Sequence, residues 1–520
     1  MNNEEKVVNL VELQKGSYSI LGLFLSRLNS SWFKKLKVYY FCCYALSFAL
    51  TTLLFFCHPR KKIDANFPIQ KPNIVYIMAD DLGWMDTGAY GSEFYETPNI
   101  DRLANMGMLF TNAYAGAANC APSRACLMTG QNTPRHGIYT VANSDRGDSR
   151  TRKLIPTVNK IALADSVTSL AKMLKGQGYS TGNFGKWHLS ENPLKYGFDV
   201  NVAGDHRGNP GSDGYFAPYN VNGLEEAKEG ENLTDRLTYE AIQFMKNHRE
   251  VPFFAYLSYY AVHTPLATTD DLKKKYIKKG GNLLQNNATY AGMIETLDKN
   301  LGKLIAFLKE ENLLETTLIV FTSDNGGIRD ISSQDPLRAG KGSYYEGGIR
   351  VPFIFSWKGQ IQSNTTNETA ITNLDIFPTL MEVSGAKSLN KLLDGNSLVS
   401  ALSGKSMPER DLFFHFPIYL QAYNMKTDDG RDPLFRTRPG TVVISGKWKL
   451  HQYFEDGSLE LYNLENDIGE RNNLIDNQPE VLKKLLQKIE VWRKNVDAPI
   501  PTKTNLDYDS NHSLNLIRTE

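Results

Sequence analysis

At 520 residues, 41% of them apolar and 22% charged, the chain is long enough for one large domain plus a smaller one, each with a real core, which excludes a disordered polymer. Lys+Arg 58 against Asp+Glu 57 leaves a net charge of +1 and no basic block of nucleic-acid-binding length, so an anionic partner has to be met locally, by a pocket. Only two of the five cysteines, Cys120 and Cys126, lie outside an N-terminal apolar segment, which excludes a disulfide framework.

In chain order, residues 1–37 form a leader and residues 38–57, VYYFCCYALSFALTTLLFFC, an uncharged run long enough to cross a bilayer. Lys34, Lys35 and Lys37 precede it, and Arg60, Lys61 and Lys62 come after it. A buried core helix would carry a polar stripe that this run lacks, so the segment predicts export or membrane anchoring. No A-x-A pattern follows it, and Phe55 and Phe56 stand where a lipoprotein signal at Cys57 needs small residues. Cleavage or retention therefore stays open.

After a basic linker, 58–71, apolar runs of strand length alternate with helical periodicity over 72–408. The strands expected are NIVYIMA (73–79), STGNFG (180–185), FFAYLSYY (253–260), TLIVFTS (317–323) and PFIFSW (352–357). Helices are expected in SVTSLAKMLKGQG, LTDRLTYEAIQFMKNH and ATYAGMIETLDKNLGKLIAFLKEENL. Strands apolar throughout, separated by amphipathic helices, predict an α/β fold: a large, mainly parallel sheet covered by helices on both faces. From 409 to 500 the short pieces TVVISGKWKLHQYF and SLELYNL and the helix PEVLKKLLQKIEVWRKNV predict a smaller α+β subdomain, followed by a tail, 501–520. Loops 139–160, 201–232 and 327–340 are long and rich in Gly, Pro, Asp and Arg, where substrate recognition tends to sit.

Ligands of open α/β sheets bind beyond the carboxyl ends of the strands. NIVYIMA ends in Asp80-Asp81 and TLIVFTS in Asp324-Asn325. Either pair alone reads as a turn cap; both together offer three carboxylates and an amide oxygen to a hard divalent cation such as calcium or magnesium. GKWHL presents Lys186 and His188, AVHTP presents His263, and the glycine-flanked Lys341 lets backbone approach a ligand closely. Each has a plain alternative, a packed histidine or a solvated lysine. With Arg124 and a cation they form a pocket suited to a tetrahedral oxyanion ester, phosphate or sulfate. His136 in TPRHG reads as structural, and Tyr215, Phe216 and Tyr219 as weak candidates for sugar stacking. Cys120 and Cys126 are too far apart to bridge if ACLMTG begins a helix, and a plain thiolate is a poor match for a hard metal.

CAPSR followed by ACLMTG resembles the sulfatase signature, Cys-x-Pro-Ser-Arg with a Thr-Gly a few residues on. ADDLG (79–83), GKWHL (185–189), His263, SDNGG (323–327) and GKGSYYEGGIRVP (340–352) keep that family's order, and the resemblance covers roughly 72–480. It implies an alkaline phosphatase-like fold and oxidation of Cys120 to formylglycine by a maturation enzyme. It also implies one Ca2+ held by Asp80, Asp81, Asp324, Asn325 and the modified residue 120. Arg124 would steady the hydrated aldehyde and His188 sit against its hydroxyls; Lys186 and Lys341 would grip the sulfate, with His263 protonating the leaving oxygen. The implied reaction is attack of the hydrated aldehyde on sulfur and collapse of the covalent sulfate through its second hydroxyl. The reading is a sulfatase that releases sulfate from an O-sulfated carbohydrate outside the cytoplasm. The alternatives are a simple arylsulfatase, a phosphonate or phosphate ester hydrolase of the same superfamily, and an inactive sulfated-glycan-binding domain.

Overall fold

The computed structural model describes residues 71–519 apart from 212–213, 225–226 and 388–391. The leader, the apolar segment 38–57 and most of the linker lie outside the described residues; within them no helix is long and apolar enough to cross a membrane.

Asn73–Ala79 forms β1 as expected, and its seven residues are all buried. It runs through the middle of an eight-stranded sheet with β2 (Met108–Phe110), β4 (Ser180–Gly185), β5 (Val200–Val202), β6 (Phe253–Ser258), β7 (Thr317–Ser323), β8 (Phe353–Ser356) and β9 (Thr365–Asn367). The spatial order is β5-β4-β6-β1-β7-β8-β2-β9. All pairings from β5 to β7 are parallel and only β8 runs against its neighbours, which makes the sheet mixed but mainly parallel. A short side pair, β3 (Ala113–Tyr114) with β10 (Ile371–Thr372), lies next to it in sequence.

Alternation along β1 explains why the strand reads as apolar throughout. Val75, Ile77 and Ala79 feed one core with the helices Leu233–Asn247 and Ala288–Glu310. Ile74, Tyr76 and Met78 feed the other, with the helices Cys120–Thr129 and Ile376–Val383. A strand with helices on both faces has no polar side to offer. Two polar residues hold helix starts: Asn232 and Asn287, each also part of an Asn-x-Thr triplet, accept backbone N–H bonds from Thr234 and Tyr290.

Downstream, β11 (Asp411–Phe416), β14 (Gly440–Ser445), β15 (Trp448–Tyr453) and β16 (Leu459–Asn463) form an antiparallel sheet; β12 (Leu420–Gln421) and β13 (Phe435–Thr437) pair beside it. One face packs on the helix Pro479–Asn495 through Val443, Leu450, Leu461, Leu485 and Ile489. The other shares a core with Tyr114, Ala118, Tyr344 and Ile349, so the described residues behave as one unit. The tail is ordered against loop 139–160: Leu154 bridges Thr504, and His512 Nε2 lies 2.9 Å from Asp148.

Candidate active site

The carboxyl ends of β1, β4, β6 and β7 lie side by side, and each delivers polar residues to one buried cluster. β1 and β7 run in register to Ala79 opposite Ser323, which sets Asp80-Asp81 against Asp324-Asn325. Asp81 takes a left-handed backbone, φ 62°, immediately after the strand. An aspartate tolerates that region but pays for it in strain, which is characteristic of functional turns.

The nucleophile candidate sits at a helix N-terminus. The helix begins at Cys120 itself rather than at Ala125, and runs to Thr129, with all ten residues buried. Both cysteines are free thiols. Cys120 Sγ lies 3.4 Å from Asp80 Oδ1 and 3.9 Å from Asp81 Oδ1. Ligand atoms of Asp80, Asp81, Cys120 and His263 all fall within 4.8 Å of one another. Cys126 points elsewhere, towards the Gly116 carbonyl and His136 Nε2, 3.5 Å away; His136 has a packing role here, as its sequence context implies.

Arg124, one turn after Cys120, is fully buried. Its Nε donates to Asp324 Oδ2 at 2.9 Å, its Nη2 lies 2.7 Å from the same oxygen as an ion pair, and its Nη1 donates to the Lys186 carbonyl and to Ser258 Oγ. Sequence reasoning missed Ser258, although a polar residue closing the otherwise apolar β6 was a usable signal. Lys186 Nζ donates to Asp80 Oδ2 at 2.5 Å, and Lys341 Nζ to Asp81 Oδ2 at 2.7 Å. His263 Nδ1–H is donated to its neighbour's carbonyl, Thr264 O, at 2.5 Å, which leaves Nε2 facing Asp81 Oδ2 at 3.6 Å. Tyr215 corrects an expectation: it is buried, with its hydroxyl 2.6 Å from the Tyr260 carbonyl and 2.7 Å from the His263 carbonyl. It is a strut beneath His263 and presents no face to a sugar, while Phe216 and Tyr219 are half-buried.

His188 also has a left-handed backbone, φ 63°, and donates its N–H to the Asp205 carbonyl. Its ring lies so close to Gly208 that a Cβ there would approach Cε1 to 2.5 Å, so glycine is what makes room for the imidazole. Burial, then the charges of Lys186 and Arg124, push His188 well below the ordinary histidine range. Burial and Lys341 lower His263 too, with Asp81 pulling the other way. Among the carboxylates, burial and the neighbouring Asp324 hold Asp80 well above its usual range. Burial works against Asp81 as well, but Lys341, His263 and Lys186 outweigh it and keep Asp81 ionised.

With Asp80 ionised, as a metal ligand must be, the charges balance: Asp80, Asp81 and Asp324 against Arg124, Lys186 and Lys341, all buried. A divalent cation would therefore leave the site positive, ready for an anion. The residues fit such a cation. Asn325 donates Nδ2 to Asp81 Oδ1 at 2.7 Å, while its carbonyl Oδ1, buried, has no partner. A buried amide oxygen without a donor costs about 1–3 kcal/mol, and oxygen-rich donor sets of this kind suit calcium.

Known proteins resemble this chain in sequence and in fold. The sequence model of the sulfatase family matches residues 72–386, and one described as N-sulphoglucosamine sulphohydrolase, C-terminal, matches 340–495. A sulfatase of Formosa agariphila is 34% identical over 521 residues, covering 85% of this chain and 91% of its own. The N-acetylgalactosamine-6-sulfatase of Canis lupus familiaris is 31% identical, covering 66% and 69%. The crystal structure of Ps i-CgsB in complex with k-i-k-neocarrahexaose is 30% identical, covers 86% of this chain and 97% of that one, and superposes with a TM-score of 0.68. The mixed sheet with its C-terminal antiparallel sheet is the alkaline phosphatase-like fold expected from the sequence. The chain belongs to the sulfatase family and is a sulfuric ester hydrolase.

Proposed function

We propose that this protein hydrolyses O-sulfate esters of a sulfated carbohydrate outside the cytoplasm, using a formylglycine made from Cys120. The observation that carries the reading is the gathering of Cys120, Asp80, Asp81 and His263 at one strand edge, with three buried cations beside them. The carbohydrate preference draws on the relatives: one acts on N-acetylgalactosamine 6-sulfate by its name, and another was solved with a neocarrahexaose. In this reading residues 38–57 direct export or anchoring, 72–408 form the catalytic domain and 409–500 the C-terminal subdomain.

Asp80, Asp81, Asp324, Asn325 and residue 120 would hold calcium, which would supply fixed positive charge towards an anionic ester. A formylglycine at residue 120 would supply an aldehyde whose hydrate offers a nucleophilic hydroxyl and a second one for release of the product. The protein's own groups do the rest. Lys186 and Lys341 turn from Asp80 and Asp81 to the anionic oxygens. Arg124, locked on Asp324, the Lys186 carbonyl and Ser258, fixes the helix that carries residue 120. His188, kept neutral, has an unpartnered Nδ1 able to take a proton. His263 can give a proton only from Nε2, because Nδ1–H is spent on Thr264; that proton goes to the leaving sugar oxygen. Overall, ester and water yield alcohol, sulfate and a proton.

The test is peptide mass spectrometry of residue 120 from protein made in its native host, together with sulfate release from carrageenan oligosaccharides and N-acetylgalactosamine 6-sulfate. A loss of about 18 Da from the cysteine form, with sulfate released, is expected. Unmodified cysteine, or faster cleavage of phosphonate monoesters than of any sulfate ester, overturns the reading.

A further inference from the structure

The segment between β11 and β14 reaches back to the active site through one arginine. Arg436, on β13, is buried; it donates Nη1 to the Lys341 carbonyl and Nε to the Gln421 carbonyl, both at 3.0 Å. Room for it comes from Gly342, φ 87°, where a Cβ would stand 2.7 Å from Nη1. On the guanidinium lies the ring of Tyr423, 3.3 Å from its centroid. The side chain of Tyr423 is nonetheless 52% exposed. Among the described residues Tyr239 is the other aromatic exposed to this degree, and it stands on the outer side of the helix Leu233–Asn247.

Tyr423 is also held in place. The buried carboxylate of Asp428 accepts its backbone N–H at 2.6 Å and that of Asn424 at 3.2 Å. Asn424 Nδ2 and Thr427 Oγ1 both donate to Asp330 Oδ1, at 3.0 and 2.9 Å, which ties the loop to the segment after Asp324-Asn325. Through Arg436, which it covers and which bonds the Lys341 carbonyl, the phenol ring is set beside the Lys341 segment. A rigid aromatic ring with one face covered and the other open binds at little entropic cost.

We infer that Tyr423, backed by Arg436, is a specificity-determining residue that stacks on the pyranose ring carrying the sulfate ester. This deepens the function proposed above and rests on it. Lys341 would take the sulfate oxygens while the apolar C–H face of the sugar lies on the neighbouring phenol ring. The ring sets which sugar faces are accepted; the cations set only that an anion is bound.

The experiment is steady-state kinetics on the best substrate from a panel of carrageenan oligosaccharides and glycosaminoglycan disaccharides, with thermal unfolding of every variant alongside. Tyr423→Phe is expected within about threefold of wild type. Tyr423→Leu, which still covers Arg436 but has no aromatic face, and Tyr423→Ala are expected to raise KM about tenfold or more, with kcat moving far less. Tyr239→Ala should change neither constant. If Tyr423→Leu keeps the wild-type KM, the ring merely shields Arg436 and the inference is overturned. It is overturned equally if the loss falls on kcat alone. If wild type releases sulfate from 4-nitrophenyl sulfate but from no sugar in the panel, the carbohydrate reading itself fails, a result distinct from either.

Discussion

Two clusters of buried charge lie close together in this protein, and only one has the features of a reaction site. The first is the strand-end group of Asp80, Asp81, Asp324, Arg124, Lys186 and Lys341. The second lies at the seam with the C-terminal sheet, where Glu346, Glu470, Lys449 and His451 are as deeply buried as any residue of the first. In the second every carboxylate oxygen is used. Glu346 Oε1 meets Lys449 at 2.9 Å and Oε2 meets Arg350 and Tyr114. Glu470 Oε1 meets Lys449 and His451, and Oε2 accepts the Glu346 N–H at 2.6 Å. The first cluster keeps Asn325 Oδ1 and His188 Nδ1 without partners and leaves His263 partly open to solvent. Burial of charge is common to structure and chemistry; unmet bonding capacity at an accessible edge separates them.

The comparison is tested most severely at Cys120. Cys120→Ala removes a small, buried side chain whose polar contacts are the two aspartates, so the fold should persist with little change in unfolding temperature. Sulfate release should fall by about 10^5-fold or more, as expected when a nucleophile is lost. A substantial residual rate, measured by ion chromatography of released sulfate, would move the chemistry away from the first cluster.

Glu470→Ala probes the second cluster and should do the reverse. It leaves Lys449 with one buried partner and orphans the Glu346 N–H, so urea unfolding should show a loss of about 3–5 kcal/mol. The remaining folded enzyme should keep a KM and kcat close to wild type at temperatures well below unfolding. A selective collapse of kcat without loss of stability would show that the seam also takes part in the reaction.

The aspartates and Lys186 of the first cluster were legible in the sequence because they come directly after buried strands: a run such as TLIVFTS can only be central, and the residues at its carboxyl end must surface at the sheet edge. Cys120 and Arg124, on a helix, took their roles from the resemblance of CAPSR to the sulfatase signature. The second cluster was invisible for the opposite reason. Glu346, Lys449 and Glu470 are separated by more than a hundred residues of chain on one side, and nothing around any of them distinguishes a buried glutamate or lysine from a solvated one. The same holds for Arg436, whose hydrogen-bond partners are the backbone carbonyls of Lys341 and Gln421. The Cys120 helix starts five residues before ACLMTG, with Pro122 in its first turn, where a helix accommodates proline.

Histidine gives the finest version of the contrast, and its effect is the smallest. His415 is buried on β11 with both ring nitrogens engaged: Nε2–H donates to the Pro499 carbonyl at 2.9 Å, and Nδ1 lies 2.8 Å from the Thr441 hydroxyl. Burial pushes it down to about 3. An unfolded histidine titrates near 6.5, so below that pH the unfolded chain binds a proton that the folded one refuses. Stability from this group is therefore whole above about pH 6.5 and is lost as pH falls, by about 2 kcal/mol at about pH 5. His415→Gln, compared with wild type by urea unfolding at about pH 7.5 and about pH 5, should lose that much less over the interval, whatever its starting stability. Its pH profile for sulfate release should not move, because a histidine with both nitrogens satisfied has no capacity left for substrate, whereas His263 and His188 each keep one.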